Sequence, residues 1–157
     1  MYNQKEALKD YYSTNDYGEE NLGYPFVFGV SVDCIVLGYQ SGKVKVLLVE
    51  RGVSPYRGYW ALPGDLLKKD EDLKNAAERV LYQLTGLREI YFKQFKTFGA
   101  IDRHPMGRVL TVGFFSLVKS ENIYHLTGAW AKETKRWDIK ELPEVAFDQA
   151  FIIRKGL

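Results

Sequence analysis

The sequence predicts an α/β layered sandwich, and three observations carry that expectation. Two β-rich runs flank a tight Ser41-Gly42 turn, a capped amphipathic helix is signalled near the middle, and further strand candidates precede the start of a last helix. At 157 residues, with 46% hydrophobic and 27% charged residues, the chain has room for one domain with a full core.

Residues 1–22 read as a polar, tyrosine-dotted N-terminal arm containing Gly18 and the Glu19-Glu20 pair. A short helix over 3–11 and an arm that is disordered or packs on a partner are equal alternatives there. The folded domain is expected over 23–157. Phe26 to Leu37 and Lys43 to Val49 are the two strands of a hairpin, and the Lys/Val alternation at 43–46 gives the second strand one wet face. A loop rich in Gly, Pro and Ser runs from Arg51 to Gly58. The helix is expected from Glu71 to Thr85, with Asp70 as N-cap, acidic residues in its first turn and Gly86 in the left-handed closing position. Strands follow at about 90–98, 109–118 and 127–137, and the last helix starts around Phe147 with Ala150, Ile153 and Leu157 on its apolar face. There is no internal repeat and no low-complexity tract.

Bulk properties exclude several classes. A net charge of +2 does not argue for nucleic acid or an anionic membrane, so DNA contact would need a local patch or another segment. No apolar run reaches the roughly 20 residues of a membrane span, and the N-terminus has no signal-peptide pattern, so no membrane partner and a cytoplasmic location are expected. The single cysteine, Cys34, lies in an apolar run and reads as a buried structural thiol. His104 and His125 have no partners at metal or triad spacing and read as loop or surface residues.

The lead-in Trp60-Ala61-Leu62-Pro63-Gly64 is followed by Asp65, then Glu71 after five residues, Arg79 after seven more, and Thr85-Gly86-Leu87. This arrangement resembles the Nudix box, G-x5-E-x7-R-E-U-x-E-E-x-G-U with U a bulky aliphatic, over some 28 positions. The resemblance extends over most of the chain and implies a Nudix fold, a mixed β-sheet sandwiched between helices (α/β/α). It departs at four places. Asp65 replaces the box glycine, and the three glutamate positions after the arginine hold Val80, Gln83 and Leu84.

In the hydrolases of this family those carboxylates hold a divalent metal, which polarises the phosphate and activates water. Valine and leucine offer no oxygen and glutamine only a neutral carbonyl. Loss of all three is expected to cost roughly three orders of magnitude or more in rate. At 100° per residue, Leu73, Ala76, Ala77, Val80, Leu81 and Leu84 span an arc of about 140°, which makes Val80 and Leu84 core residues. Buried, each contributes about 1.5–3 kcal/mol. No metal site and no catalytic residue are therefore expected. The resemblance implies that Glu71 and Arg79 are the structural pair tying the box loop to its helix.

A second stretch, Gly99 to Val109 with Asp102-Arg103-His104-Pro105 and Arg108-Val109, resembles a signature of the Nudix-related transcriptional regulators. Ala146-Phe147-Asp148-Gln149 resembles their Ala-Phe-Asp-His motif with Gln149 for the histidine. Those regulators join a Nudix-like sensor to a winged helix-turn-helix and respond to ADP-ribose, related NAD metabolites or sugars such as arabinose. The resemblance implies a homodimer that contacts DNA only through a C-terminal domain expected beyond Leu157 and absent from this chain.

Ligand-binding candidates follow from side-chain chemistry. Arg103 and Arg108 can clamp phosphates bidentately, and Asp102 can accept from hydroxyls or pair with one of these arginines to shape the loop. Arg51 leaves the second strand toward the pocket, and Asp65 can bind a sugar hydroxyl or form a turn. Trp60, Tyr59 and Phe98 can stack on a base or sugar face, against plain core packing as the alternative.

Three functions compete. The preferred one is a catalytically silent effector-sensing domain, binding a sugar, a sugar phosphate or ADP-ribose without a cofactor. The second is an ADP-ribose pyrophosphatase using Mg²⁺ held by carboxylates outside the box, drawn from Glu78, Glu89 and Glu141. The third is a non-enzymatic protein-interaction module.

Overall fold

The computed structural model describes residues 29–105, 107–119 and 130–157. The expected N-terminal arm, the first residues of the hairpin, Met106, His125 and the beginning of the third late strand lie outside the described residues.

Among the described residues, seven strands form one mixed sheet, β1 (Gly29–Gln40), β2 (Lys43–Arg51), β3 (Trp60–Ala61), β4 (Gly64–Leu66), β5 (Lys93–Phe98), β6 (Val109–Leu117) and β7 (Ala131–Asp138), and two helices flank it, α1 (Leu73–Thr85) and α2 (Gln149–Gly156). The main path is β3-β2-β1-β6-β5, with β4 paired to β1 and β7 to β2. β1 runs parallel to β6, with Ser31 beside Thr111 and Asp33 beside Gly113, while its other pairings are antiparallel. The β1–β2 hairpin closes as expected at Ser41-Gly42, both at positive φ (52° and 76°), the conformation whose twist matches the strands it joins.

Strand alternation divides the core into two layers. Val32, Cys34 and Val36 of β1 and Leu47 and Val49 of β2 face α1, where Ala76, Ala77, Val80, Leu81 and Leu84 are buried. Ile35, Leu37, Val46 and Leu48 point the other way, onto Ile152 and Ile153 of α2. The arrangement is the α/β/α sandwich of the Nudix fold. Cys34 is a free, buried thiol in the α1 layer, where burial raises its pKa and makes it a weaker acid.

The helix α1 starts two residues later than its sequence signals suggest. Asp72, not Asp70, is the N-cap and accepts from the Asn75 N–H at 2.9 Å. The acidic cluster thus sits ahead of the helix, and its first turn has no acid. Glu71 is claimed by Arg79 and by the Lys68 N–H at 2.9 Å instead. Gly86 closes the helix at φ 72° and donates to the Tyr82 carbonyl.

The buried face of α2 also differs from the expected one. Gln149, Ile152 and Ile153 are buried, while Leu157 is exposed. Gly156 lies so close to the Ile35 side chain that any Cβ there would collide with it, which fixes the helix against the sheet. No helix among the described residues is long and apolar enough to cross a membrane.

Candidate functional site

A cavity of about 490 Å³ opens at the Gly29 end of β1. Its floor is built from Ser31 and Asp33 of β1, Thr111 of β6 and Gln149 of α2. Ser31 and Asp33 share one face of β1 with Ile35 and Leu37, so the floor continues the α2-side layer with polar residues in place of aliphatic ones. One wall carries Arg51, the Ser54-Pro55 turn, Trp130 and Phe147, another carries Gly64, Asp65 and Leu66 of the box lead, and the third is the 103–109 loop.

Asp33 is 5% exposed. Burial pushes its carboxyl up to about 7, although Arg103, the Gln149 hydrogen bond and Arg51 pull the other way. Gln149 donates from Nε2 to Asp33 Oδ2 at 3.2 Å, and its Oε1 accepts the Leu62 N–H at 2.7 Å. One amide thereby ties the cavity floor to the Trp60-Ala61-Leu62-Pro63-Gly64 lead-in. Gly64 faces Asp33 Oδ1 so closely that a Cβ would overlap it, which is the physical requirement for glycine at that position.

The two motif segments, 45 residues apart in sequence, meet here. Arg103 donates from Nε and Nη2 to the two carboxylate oxygens of Asp148 at 2.9 and 2.8 Å. Its Nη1 donates to Thr111 Oγ1 at 2.7 Å and the Val109 carbonyl at 3.2 Å. Four of the five guanidinium N–H groups of a side chain only 4% exposed are thus spent on the protein. Arg103 lines the cavity as expected of a ligand contact, with most of its hydrogen-bonding fork engaged by the protein. The pairing inside the loop differs from the expected one: Asp148 shapes it, while Asp102 is exposed and does not line the cavity. With its carboxylate held by Arg103, Asp148 makes no side-chain cap on α2.

Arg51 and Arg108 do reach the cavity. Arg51 donates from Nε to the Pro55 carbonyl at 2.7 Å, and its guanidinium carbon stands 5.0 Å from the Trp130 ring centroid and 5.1 Å from that of Phe147. Desolvation lowers its pKa, opposed by Asp33. Arg108 donates from Nη1 to the Gly99 and Ala100 carbonyls at 2.6 and 2.8 Å, which braces the loop. His104, read from the sequence as a loop or surface residue, stacks on Phe147 with centroids 4.9 Å apart and lines the cavity. Burial, then Arg103 and Arg51, lower its pKa.

The aromatic candidates lie elsewhere. Trp60 packs edge-on against Trp137 at 5.2 Å, and Phe98, 5% exposed, packs against Phe95 and Phe151 in the α2-side core. Neither lines the cavity. Core packing wins for both, since each ring is enclosed by apolar neighbours on the α2 side. The cavity's aromatic surfaces, Phe147 and Trp130, were not signalled by any stacking pattern in the sequence, although Phe147 lies within the quoted Ala-Phe-Asp-Gln motif.

The box itself is held by Arg79. Its Nε and Nη2 clasp Glu71 at 2.9 and 2.7 Å, Nη2 also reaches the Leu66 carbonyl, and Nη1 reaches Asp65 Oδ2 at 3.2 Å. Glu71 and Arg79 form the structural pair that the box resemblance implies. Asp65 lines the cavity, yet one of its oxygens faces Arg79 and the other accepts its neighbour Leu66 N–H at 2.7 Å. The residues at the three former glutamate positions do not fit a hard cation. Val80 and Leu84 are buried hydrocarbons in the α1 layer, and the Gln83 amide oxygen lies 3.4 Å from Arg79 Nη1. Glu78, Glu89 and Glu141 do not line the cavity, and among the described residues no three His, Cys, Asp or Glu side chains cluster closely enough to hold a metal ion.

Residues 27–154 match the NUDIX domain family. The chain is 29% identical over 119 residues to the ADPR responsive transcriptional repressor NtrR of Acinetobacter baylyi, covering 74% of this chain and 44% of the repressor. It is 32% identical over 110 residues to the ADP-ribose pyrophosphatase of Methanocaldococcus jannaschii, covering 70% of this chain and 64% of that enzyme. The chain therefore spans less than two thirds of either relative. The NUDIX domain of Shewanella oneidensis NrtR, solved in complex with ADP ribose, superposes with a TM-score of 0.75 at 27% identity, covering 94% of this chain and 95% of that one.

Proposed function

The chain belongs to the NUDIX domain family, and we propose that within it this domain is an effector sensor, binding ADP-ribose or a related sugar diphosphate in the cavity without hydrolysing it. The observation that carries this reading is the contrast between box and cavity. The three box positions that would hold metal are packed as core or held by Arg79, whereas the cavity remains open and is lined by cationic, aromatic and polar side chains. Arg51 and Arg108 supply positive charge for the diphosphate, Phe147 and Trp130 supply apolar faces, and Asp33 and Asp65 supply acceptors for hydroxyls. Arg103 acts by positioning, holding Thr111 and Asp148 in place.

Similarity to an ADPR responsive repressor and to an NrtR domain solved with ADP ribose supports this ligand class and a regulatory role. In that role the domain works as a homodimer, and DNA is contacted by a separate domain. The competing reading, an ADP-ribose pyrophosphatase, is favoured by the 32% identity to an enzyme of that activity. It requires metal-binding carboxylates that the box lacks.

Calorimetric titration of ADP-ribose into the chain in excess EDTA tests the proposal. Saturable binding with the same affinity in EDTA and in Mg²⁺ is the expected result. Binding that needs Mg²⁺ would transfer support to the hydrolase.

A further inference from the structure

Asp33 has more acceptor capacity than the protein fills. An ionised carboxylate offers about four lone-pair positions. Among the described residues a single donor, Gln149 Nε2 at 3.2 Å, occupies one of them. Arg103, the strongest positive influence on Asp33, spends its hydrogen bonds on Asp148, Thr111 and Val109. Polar groups this deeply buried call for partners, and here the missing partners have a cavity to arrive through.

The surroundings specify what kind of donor fits. Ser31, two residues before Asp33 on the same strand face, shares a 2.7 Å hydrogen bond with Thr111. A carboxylate beside two hydroxyls matches a polyhydroxylated fragment, whereas the aromatic surfaces that suit a base, Phe147, His104 and Trp130, belong to the walls.

We infer that Asp33 is the specificity-determining residue of this cavity, accepting a hydrogen bond from a hydroxyl of the ligand's terminal sugar, the one linked through the diphosphate and carrying no base. The inference rests on the proposed ligand class and adds the orientation of the ligand within the site. A hydroxyl donated to Asp33 favours the ionised carboxylate, so sugar binding draws a proton off a group that burial has pushed up to about 7. The other charged groups acting on Asp33 are Arg103 from the loop before β6, Asp148 ahead of α2 and Arg51 at the end of β2, while His104 and Asp65 line the same cavity.

The test is titration of ADP-ribose and of ADP, which lacks the terminal sugar, into the whole chain as wild type and as Asp33→Asn. The variant is expected to bind ADP-ribose about tenfold or more weakly and ADP within about twofold of wild type. Equal weakening of both nucleotides would assign Asp33 to the base or the phosphates and overturn the inference, and so would unchanged ADP-ribose binding. If Asp33→Asn does not fold, wild type titrated in buffers of different ionisation enthalpy supplies the answer. Proton release near neutral pH with ADP-ribose and not with ADP supports the assignment, and equal proton counts reject it. Failure of wild type to bind either nucleotide removes the ligand class and the inference with it.

Discussion

The two faces of β1 are made from alternate residues of one strand, yet one face is closed hydrocarbon and the other opens into a cavity. Toward α1 stand Val32, Cys34 and Val36, met by Val80, Leu81 and Leu84. Toward α2 stand Ser31 and Asp33 and only then Ile35 and Leu37, so the aliphatic packing begins two residues further along. The α1 face is where the family resemblance would place a metal, and it is the dry one. The α2 face carries the buried carboxylate. Polar chemistry in this chain resides in the floor and walls of the cavity, and the box helix has become part of the core.

Returning the box carboxylates would break this contrast most strongly. Val80→Glu and Leu84→Glu each place an unpaired charge in the α1 layer, and each is expected to cost about 3–5 kcal/mol of stability. Urea denaturation reads the effect. A near-wild-type midpoint for either variant would show that this face admits water and that the helix is not committed to packing.

Acid titration sharpens the same comparison, because the two faces hold carboxyls perturbed in opposite directions. At the box, the Arg79 guanidinium and then the Lys68 N–H hold the Glu71 carboxyl down at about 2 from an ordinary 4.5. Folding therefore favours the ionised form, and the stability Glu71 contributes is present above pH 4.5 and lost as pH falls toward 2. Asp33 is raised from 3.8 to about 7, so the folded chain keeps a proton that the unfolded chain has released. Its contribution is most favourable below pH 3.8 and declines as pH rises to 7. Glu71→Gln should remove stability at neutral pH and flatten the acid limb. Asp33→Asn should raise the melting temperature above pH 7 and have little effect near pH 4, a smaller change than that of the buried box charges. Parallel melting curves for both variants across this range would contradict the opposed environments.

Much of this was legible in the sequence, and the rest was hidden for identifiable reasons. Periodicity gave the buried face of α1, and with it the fate of Val80 and Leu84, because a helix facing a sheet needs one continuous apolar stripe. The resemblance to the Nudix box implied the clasp between Glu71 and Arg79. The Arg103–Asp148 pair and the Gln149 bridge join positions far apart in sequence, and no local pattern encodes such a meeting. Each half lies in a recognisable motif, yet Asp102, adjacent to Arg103, is the nearer partner in sequence. Trp60 and Phe98 were open to stacking or core roles because a single aromatic carries no sign of which side of it is solvent. Asp33 carries a signal of its own in the sequence. A carboxylate within a run of inward-facing β-branched and aliphatic residues breaks the local rule, and such breaks mark functional positions.

Whether the ligand is held and not cleaved is read most directly by product analysis with the protein at stoichiometric concentration. ADP-ribose incubated with an equal concentration of the chain and Mg²⁺ should be recovered intact, with no AMP or ribose 5-phosphate above the protein-free control. Mg²⁺-dependent release of AMP would contradict the account and place a working metal site outside the box.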